Sequence, residues 1–199
     1  MRKSIRPRNI ACGALEAMRS RSFVPALTVA AGLALTACSM SSTGASTFPS
    51  ASTAQDDGRI DDAHKPTPFD VNHPAIRNLN KALLAALQKA ATHAERDGVH
   101  FVVNSGWRSE RYQRELMEQA VTRYGSREEA KRFVLSPEKS AHVKGRAVDI
   151  GPTDADSWLG RHGAAFGLCQ TYANEMWHYE LATKPGGECP PQRPDATAG

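Results

Sequence analysis

Two things are scarce in this chain: surplus charge of either sign once the first 37 residues are set aside, and any apolar run long enough to cross a membrane. Residues 1–37 carry six of the 25 basic and one of the 21 acidic side chains, leaving 19 against 20 in the remainder. A near-neutral remainder excludes the basic face that nucleic-acid binding needs, so no nucleic-acid partner is expected. The most apolar stretch, Phe23 to Ala37, is uncharged but only 15 residues long, against the roughly 20 that a spanning helix requires. Cysteine is rare, with four in 199 residues. Between Ser39 and Asp62 large apolar residues are nearly absent, and such a stretch cannot bury enough surface to offset the entropy of ordering. No long heptad run suggests a coiled coil.

What is present begins with a basic leader, Arg2, Lys3, Arg6, Arg8, Arg19 and Arg21 against Glu16, followed by that apolar run. This is the pattern of a secretion signal, with Met18 an alternative start to Met1. Leu35, Thr36, Ala37 and Cys38 form a small-residue processing site followed by cysteine, which resembles a lipoprotein box. The resemblance implies lipidation of Cys38 and anchorage of an exported protein to a bacterial membrane, facing the cell wall or periplasm. Residues 38–65 then read as a flexible tether, 66–189 as one folded domain and 190–199 as a disordered tail rich in proline and small polar residues. With Cys12 in the signal and Cys38 under lipid, Cys169 and Cys189 remain as a disulfide pair in an oxidising compartment. Two thiols on a further metal site is the competing reading, and it lacks a second nearby pair.

Within the domain, Ile76, Leu79, Leu83, Leu84, Leu87, Ala90, Ala91 and Ala94 recur at helical spacing until Gly98, which predicts one helix after Pro74. Val99 to Asn104 predicts a buried strand leading into the loop Ser105–Ser109. A second helix is expected from Ser109 to about Tyr124, and a third after Ser126, with Glu129 as the partner in a capping box. Leu135 to Lys144 reads as loop and Ala147 to Ile150 as strand. Asp154 or Asp156 is expected to cap a helix running through Phe166, and Trp177 to Leu181 to form the last strand. Helices first and strands late make α+β the expected class.

The chemistry is concentrated in two segments. Ser140-Ala-His142-Val-Lys-Gly145-Arg-Ala-Val-Asp149 joins a loop histidine to a strand aspartate, and Glu175-Met-Trp-His178 follows some thirty residues on. Imidazole and carboxylate are ligand types that zinc accepts, and catalytic zinc keeps three protein ligands and an open position. His142, Asp149 and His178 supply three, for one zinc ion. Glu175 is left over and of the right type to take a proton. Residues three apart on a straight strand face opposite sides, so Glu175 is expected in the loop before the strand. The remaining histidines, His64, His73, His93, His100 and His162, read as ordinary surface or hydrogen-bonded residues. Trp107 and Trp177 read as packing residues.

These segments resemble the SxHxxGxAxD and ExWH signatures of the zinc D-alanyl-D-alanine carboxypeptidases, the VanY-type enzymes. The loop Ser105-Gly106-Trp107-Arg108-Ser109 resembles that family's SGYRS, with tryptophan in place of tyrosine. The resemblance runs from about Asn72 to Leu181. It implies a small antiparallel sheet with helices packed on one side, as in hedgehog and D-Ala-D-Ala metallopeptidase domains, and hydrolysis of the C-terminal D-alanine of peptidoglycan stem peptides. Carried over by position, His142, Asp149 and His178 match the zinc ligands, Glu175 the base, and Arg108 a catalytic and substrate-contacting arginine. Gln113 and Ser140 match substrate-lining residues. The motifs leave open an L,D-carboxypeptidase, a D,D-dipeptidase or a cross-bridge endopeptidase on the same polymer. They also leave open a non-catalytic, zinc-containing cell-wall-binding module, although such a module needs neither Glu175 nor Arg108.

Overall fold

The computed structural model describes residues 56–198. The expected signal, Cys38 and the tether as far as residue 55 lie outside the described residues. In chain order the elements are α1 (Pro74–Arg77), α2 (Lys81–Arg96), β1 (Val102–Ser105), α3 (Glu110–Tyr124), α4 (Arg127–Ala130), β2 (Ala147–Gly151), α5 (Thr153–His162), a 3₁₀ turn at Gly163–Phe166, β3 (Leu168–Gln170) and β4 (His178–Leu181). The strands form one antiparallel sheet in the order β1-β2-β4-β3, so the architecture is α+β as expected.

The side-chain period of two divides the sheet into a core face and a site face. Val103, Val148, Ile150, Leu168 and Tyr179 are buried in one cluster with Leu83, Leu87, Ala90 and Ala94 of α2 and Trp158 and Leu159 of α5. Asp149 lies between Val148 and Ile150 and so points the other way, where it is paired across the strands with both Ser105 and His178. A second, smaller cluster of Met117, Ala120 and Ala130 joins α3 to α4.

The single helix expected after Pro74 is two helices. Asn80 caps α2 by accepting from the Ala82 amide at 2.9 Å, while its own amide donates to the Gly145 carbonyl at 2.7 Å. The side-chain cap and the tertiary contact outweigh the helical pattern that runs through the break. The helix expected through Phe166 starts at Thr153 and ends at His162, with Pro152 at the cap and Asp154 and Asp156 inside the first turn. Neither aspartate is the cap. Strand β3 had no expectation behind it, because three residues hold too little alternation to be read. Ser109 and Ser126 cap α3 and α4 as foreseen, accepting from Tyr112 and Glu129 amides at 3.1 Å each.

The packed region is wider than residues 66–189. Asp57 is buried, receives Arg111 at 2.9 Å, and through its carbonyl accepts from the Ser109 amide. At the other end Asp195 pairs with Arg132 at 2.9 Å, Ala196 is buried, and Arg193 bridges to Tyr172. Ion pairs and backbone hydrogen bonds hold these polar segments, and an apolar pattern does not register them. Cys169 and Cys189 form a disulfide, which joins β3 to the start of the C-terminal segment. None of the helices among the described residues is long and apolar enough to cross a membrane.

Candidate metal centre

Three segments converge on the site face. Gly145 has φ +64°, and a Cβ there would lie 2.5 Å from the Asn78 carbonyl oxygen, so glycine alone lets the His142 loop turn against the break between α1 and α2. The turn is closed by Gly145 N–H donating to the His142 carbonyl at 2.9 Å. β2 carries Asp149, and β4 starts at His178, directly opposite it. Glu175 lies in the turn before β4, as expected, with its carbonyl accepting from the His178 amide at 3.2 Å.

His142 Nε2, Asp149 Oδ1 and His178 Nδ1 form a triangle with edges of 3.3, 3.1 and 3.4 Å. Tetrahedral ligands about 2.0–2.1 Å from a zinc ion lie roughly 3.3 Å apart, so the donor set fits such an ion in both type and spacing. It is the group among the described residues that could hold a metal, and all three side chains are buried. Each histidine is oriented through its other nitrogen. His142 Nδ1 lies 2.8 Å from the Gly106 carbonyl, and His178 Nε2 lies 3.3 Å from Glu180 Oε1. A carbonyl can only accept, so Nδ1 of His142 carries the proton and Nε2 is left with its lone pair toward the triangle. Asp149 gives Oδ1 to the triangle, and its Oδ2 accepts from Arg108 Nη2 at 2.8 Å.

The electrostatics follow from this crowding. Burial alone would raise the Asp149 pKa, but the two imidazoles and the Arg108 guanidinium hold it well below the usual range. Burial and Arg108 push His142 down. Burial also disfavours a charged His178, yet hydrogen bonds to Asp149 and Glu180 outweigh it and raise its pKa to about 9. Glu175, 5 per cent exposed and with Oε1 unpartnered, is pushed up to about 7, chiefly by burial. Its Oε2 lies 3.7 Å from His178 Nδ1.

Arg108, Gln113, Ser140, Glu175 and the histidines line one narrow recess, closed by Phe133, Tyr172 and Ala196. The structure therefore brings Arg108, Gln113, Ser140 and Glu175 together with the three expected metal ligands, but it gives some of them tasks within the protein. Arg108 donates from Nε to Ser105 Oγ at 2.7 Å and from Nη1 to Gln113 Oε1 at 3.2 Å, besides its bond to Asp149. Gln113 also donates to the Leu135 carbonyl at 2.8 Å, so both ends of its amide are engaged. Ser140 is buried, with Oγ 3.5 Å from the Val143 amide. Trp107 packs against the core, whereas Trp177 and its neighbour Met176 are exposed. The packing role expected of Trp177 does not hold, because its side chain is exposed; its carbonyl, just before β4, accepts from the Ile150 amide.

Four contributors lie outside the expected set of site residues. Glu180 was legible, since a residue two after His178 on a strand shares its face. The Gly106 carbonyl, Ser105 as a brace for Arg108, and the C-terminal segment that supplies Ala196 leave no signature in side-chain pattern.

A buried pair of histidines with one aspartate forms a donor set for a single divalent metal ion, with an unpartnered acid beside it. Residues 76–184 match the sequence model of the VanY family, described as D-alanyl-D-alanine carboxypeptidase, and the chain belongs to that family. A D-alanyl-D-alanine carboxypeptidase of Enterococcus faecalis is 30 per cent identical over a region covering 60 per cent of this chain and 57 per cent of that protein. The chain thus spans somewhat over half the length of that curated relative. Among solved structures, the vancomycin-resistance D,D-pentapeptidase VanY of a VanB-type resistance cassette, a mutant in complex with Zn(II), is 28 per cent identical. The match covers 51 per cent of this chain and 71 per cent of that one, with a TM-score of 0.49. The L,D-carboxypeptidase DacB of Streptococcus pneumoniae is 27 per cent identical over 55 and 69 per cent of the two chains, with a TM-score of 0.45.

Proposed function

We propose that this chain is an exported zinc-dependent carboxypeptidase that removes the C-terminal D-alanine from peptidoglycan stem peptides ending in D-Ala-D-Ala. The observation that carries the reading is the near-equilateral triangle of His142 Nε2, Asp149 Oδ1 and His178 Nδ1, with the unpartnered Oε1 of Glu175 buried beside it. A non-catalytic module has no use for that acid, and an unpaired buried carboxylate oxygen is costly unless it has a task. Membership of the family and the activity named for the Enterococcus faecalis relative support the choice of substrate.

Zinc held by the triad would supply Lewis acidity and lower the pKa of its bound water. Glu175 accepts the proton of the attacking water on Oε1 and returns it to the amine of the departing D-alanine. A carboxylate buried beside the triad with one oxygen unpartnered is placed both to take and to give that proton. Arg108 has five N–H donors, of which three are used inside the protein. The other two remain for the terminal carboxylate of the substrate or the oxyanion. Gln113 acts by holding Arg108 in place, and Ser140 offers its hydroxyl to the wall of the recess.

The test is digestion of defined tri-, tetra- and pentapeptide stems, with products weighed by mass spectrometry. Pentapeptide is expected to give tetrapeptide and D-alanine, while tetrapeptide stays whole. Glu175→Ala should keep one zinc per chain and lose about 10²–10⁴-fold in turnover. Undiminished turnover by the metal-loaded variant refutes the base assignment, and preferred cleavage of tetrapeptide refutes the choice of bond. The lipid anchor is part of the same proposal. In a bacterial host fed labelled palmitate, the chain should take up label and Cys38→Ser should not; equal labelling of the two removes the anchor.

A further inference from the structure

The recess shares Leu135, Ala141, Tyr172 and Ala196 with a neighbouring cavity of about 680 Å³. Six basic residues line it: Arg127, Lys131, Lys139, Lys144, Arg146 and Arg193. Two acids share the walls, Glu138 and Glu180, and Glu180 is turned toward His178. Among the described residues, Arg127, Lys139, Lys144 and Arg146 enter no ion pair. Lys131 reaches Glu128 only at 3.8 Å, and Arg193 lies over the Tyr172 ring at 5.0 Å. The surplus is local, because residues 38–199 as a whole have 19 basic against 20 acidic side chains. Unpaired like charges around one groove repel each other, a cost that an anionic occupant would relieve. The walls come from α4, from the loop before β2 and from the C-terminal segment, so three separate stretches of chain contribute charge to one place.

We propose that this groove binds carboxylates carried by the stem peptide on the N-terminal side of the scissile bond, making the enzyme selective for stems with free carboxylates over amidated ones. The inference rests on the substrate reading given above. With the scissile bond at the triad, the N-terminal part of the stem is placed in this neighbouring groove, which borders the recess along those four shared residues. An extended peptide advances about 3.3–3.6 Å per residue, so the third residue and the γ-linked D-glutamate before it fall within the groove. A diaminopimelyl side chain and a free D-glutamyl α-carboxylate are anions at those positions; amidation of either removes the charge that the lysines and arginines would meet.

The experiment uses the full chain loaded with zinc, and its Glu175→Ala form so that binding is read without turnover. Two pentapeptide stems serve as probes, one with free diaminopimelate and D-glutamate carboxylates and one with both amidated, titrated by calorimetry at low and high salt. The carboxylated stem should bind about tenfold tighter, and added salt should shrink the ratio. Exchanging three exposed groove residues, Lys131→Gln, Lys139→Gln and Lys144→Gln together, should bring the ratio close to one. Equal affinities in the unsubstituted groove overturn the proposal, as does a ratio that survives the triple substitution. Tighter binding to vesicles containing phosphatidylglycerol than to the stem, lost in the triple variant, overturns it too and assigns the groove to a lipid surface. Hydrolysis is scored separately: if neither stem is cut by the unsubstituted enzyme, the carboxypeptidase reading fails while the binding ratio still decides the groove.

Discussion

Replacing Arg108 by methionine should weaken zinc binding even though Arg108 touches no metal. Its Nη2 donates to the free oxygen of Asp149 at 2.8 Å, with both side chains nearly buried. A hydrogen bond to a charged group contributes about 1.5–3 kcal/mol, and 1.4 kcal/mol is a factor of ten, so the loss should be roughly 10- to 100-fold in zinc affinity. That agrees with the usual cost of removing a residue that orients a metal ligand. Methionine fills much of the same volume and leaves Ser105 Oγ and Gln113 Oε1 without a donor, which adds to the loss of order around Asp149. Lysine keeps the charge but can reach one of the three acceptors, so Arg108→Lys should fall between. Competition against a chromophoric chelator measures the affinity, and urea unfolding monitors the fold. If Arg108→Met holds zinc within about twofold of the unsubstituted chain and loses only kcat/KM, the guanidinium serves substrate alone and the brace on Asp149 is incidental.

Gly145→Ala should destabilise the fold by about 3 kcal/mol. A left-handed backbone costs an alanine about 1–2 kcal/mol, and its Cβ would press on the Asn78 carbonyl at 2.5 Å; a shift in the urea midpoint below 1 kcal/mol would contradict the close approach. Asp156→Asn should stabilise, with a pH dependence of defined sign. Burial first, then Asp149 and Asp154, raise the folded pKa of Asp156 from 3.8 to about 6, so the folded state binds more protons than the unfolded one between those values and loses stability as pH rises through them. Two units at about 1.4 kcal/mol each, reduced for partial screening, put the advantage of asparagine near 2 kcal/mol above pH 7 and near zero below pH 4; an advantage that is flat with pH refutes the assignment.

The elements legible in the sequence were those with a repeating pattern or a cap. Ser109 and Ser126 announced α3 and α4 because a hydroxyl before a helix has one local job. The break at Asn78–Asn80 was invisible because Ile76, Leu79 and Leu83 keep helical phase across it; what stops the helix is a hydrogen bond that the Asn80 amide donates to the carbonyl of Gly145, over sixty residues away in the chain. The same limit hid the outer segments. Asp57 falls in the stretch expected as tether and Asp195 in the stretch expected as tail, and each becomes structural through an arginine brought to it by the fold, Arg111 and Arg132 respectively.

For the site, the donors were legible and their division of labour was not. Two histidines and an aspartate name a metal, since few other arrangements need those groups together. Which nitrogen of each ring faces the ion depends on Gly106 and Glu180, and whether Arg108 serves metal or substrate depends on how many of its donors the protein already uses. These are questions of satisfied valence, decided by what stands on the far side of each group. The strand geometry explains why the family motifs nonetheless carry so far: placing Asp149 opposite His178 across β2 and β4 puts Val148 and Tyr179 on the core face by the same alternation. A one-residue slip in register would take two ligands out of the site and two residues out of the core at once. Core packing therefore holds the register that the metal needs, and a substitution at Tyr179 or Val148 that loosened it would be felt first as lost zinc affinity.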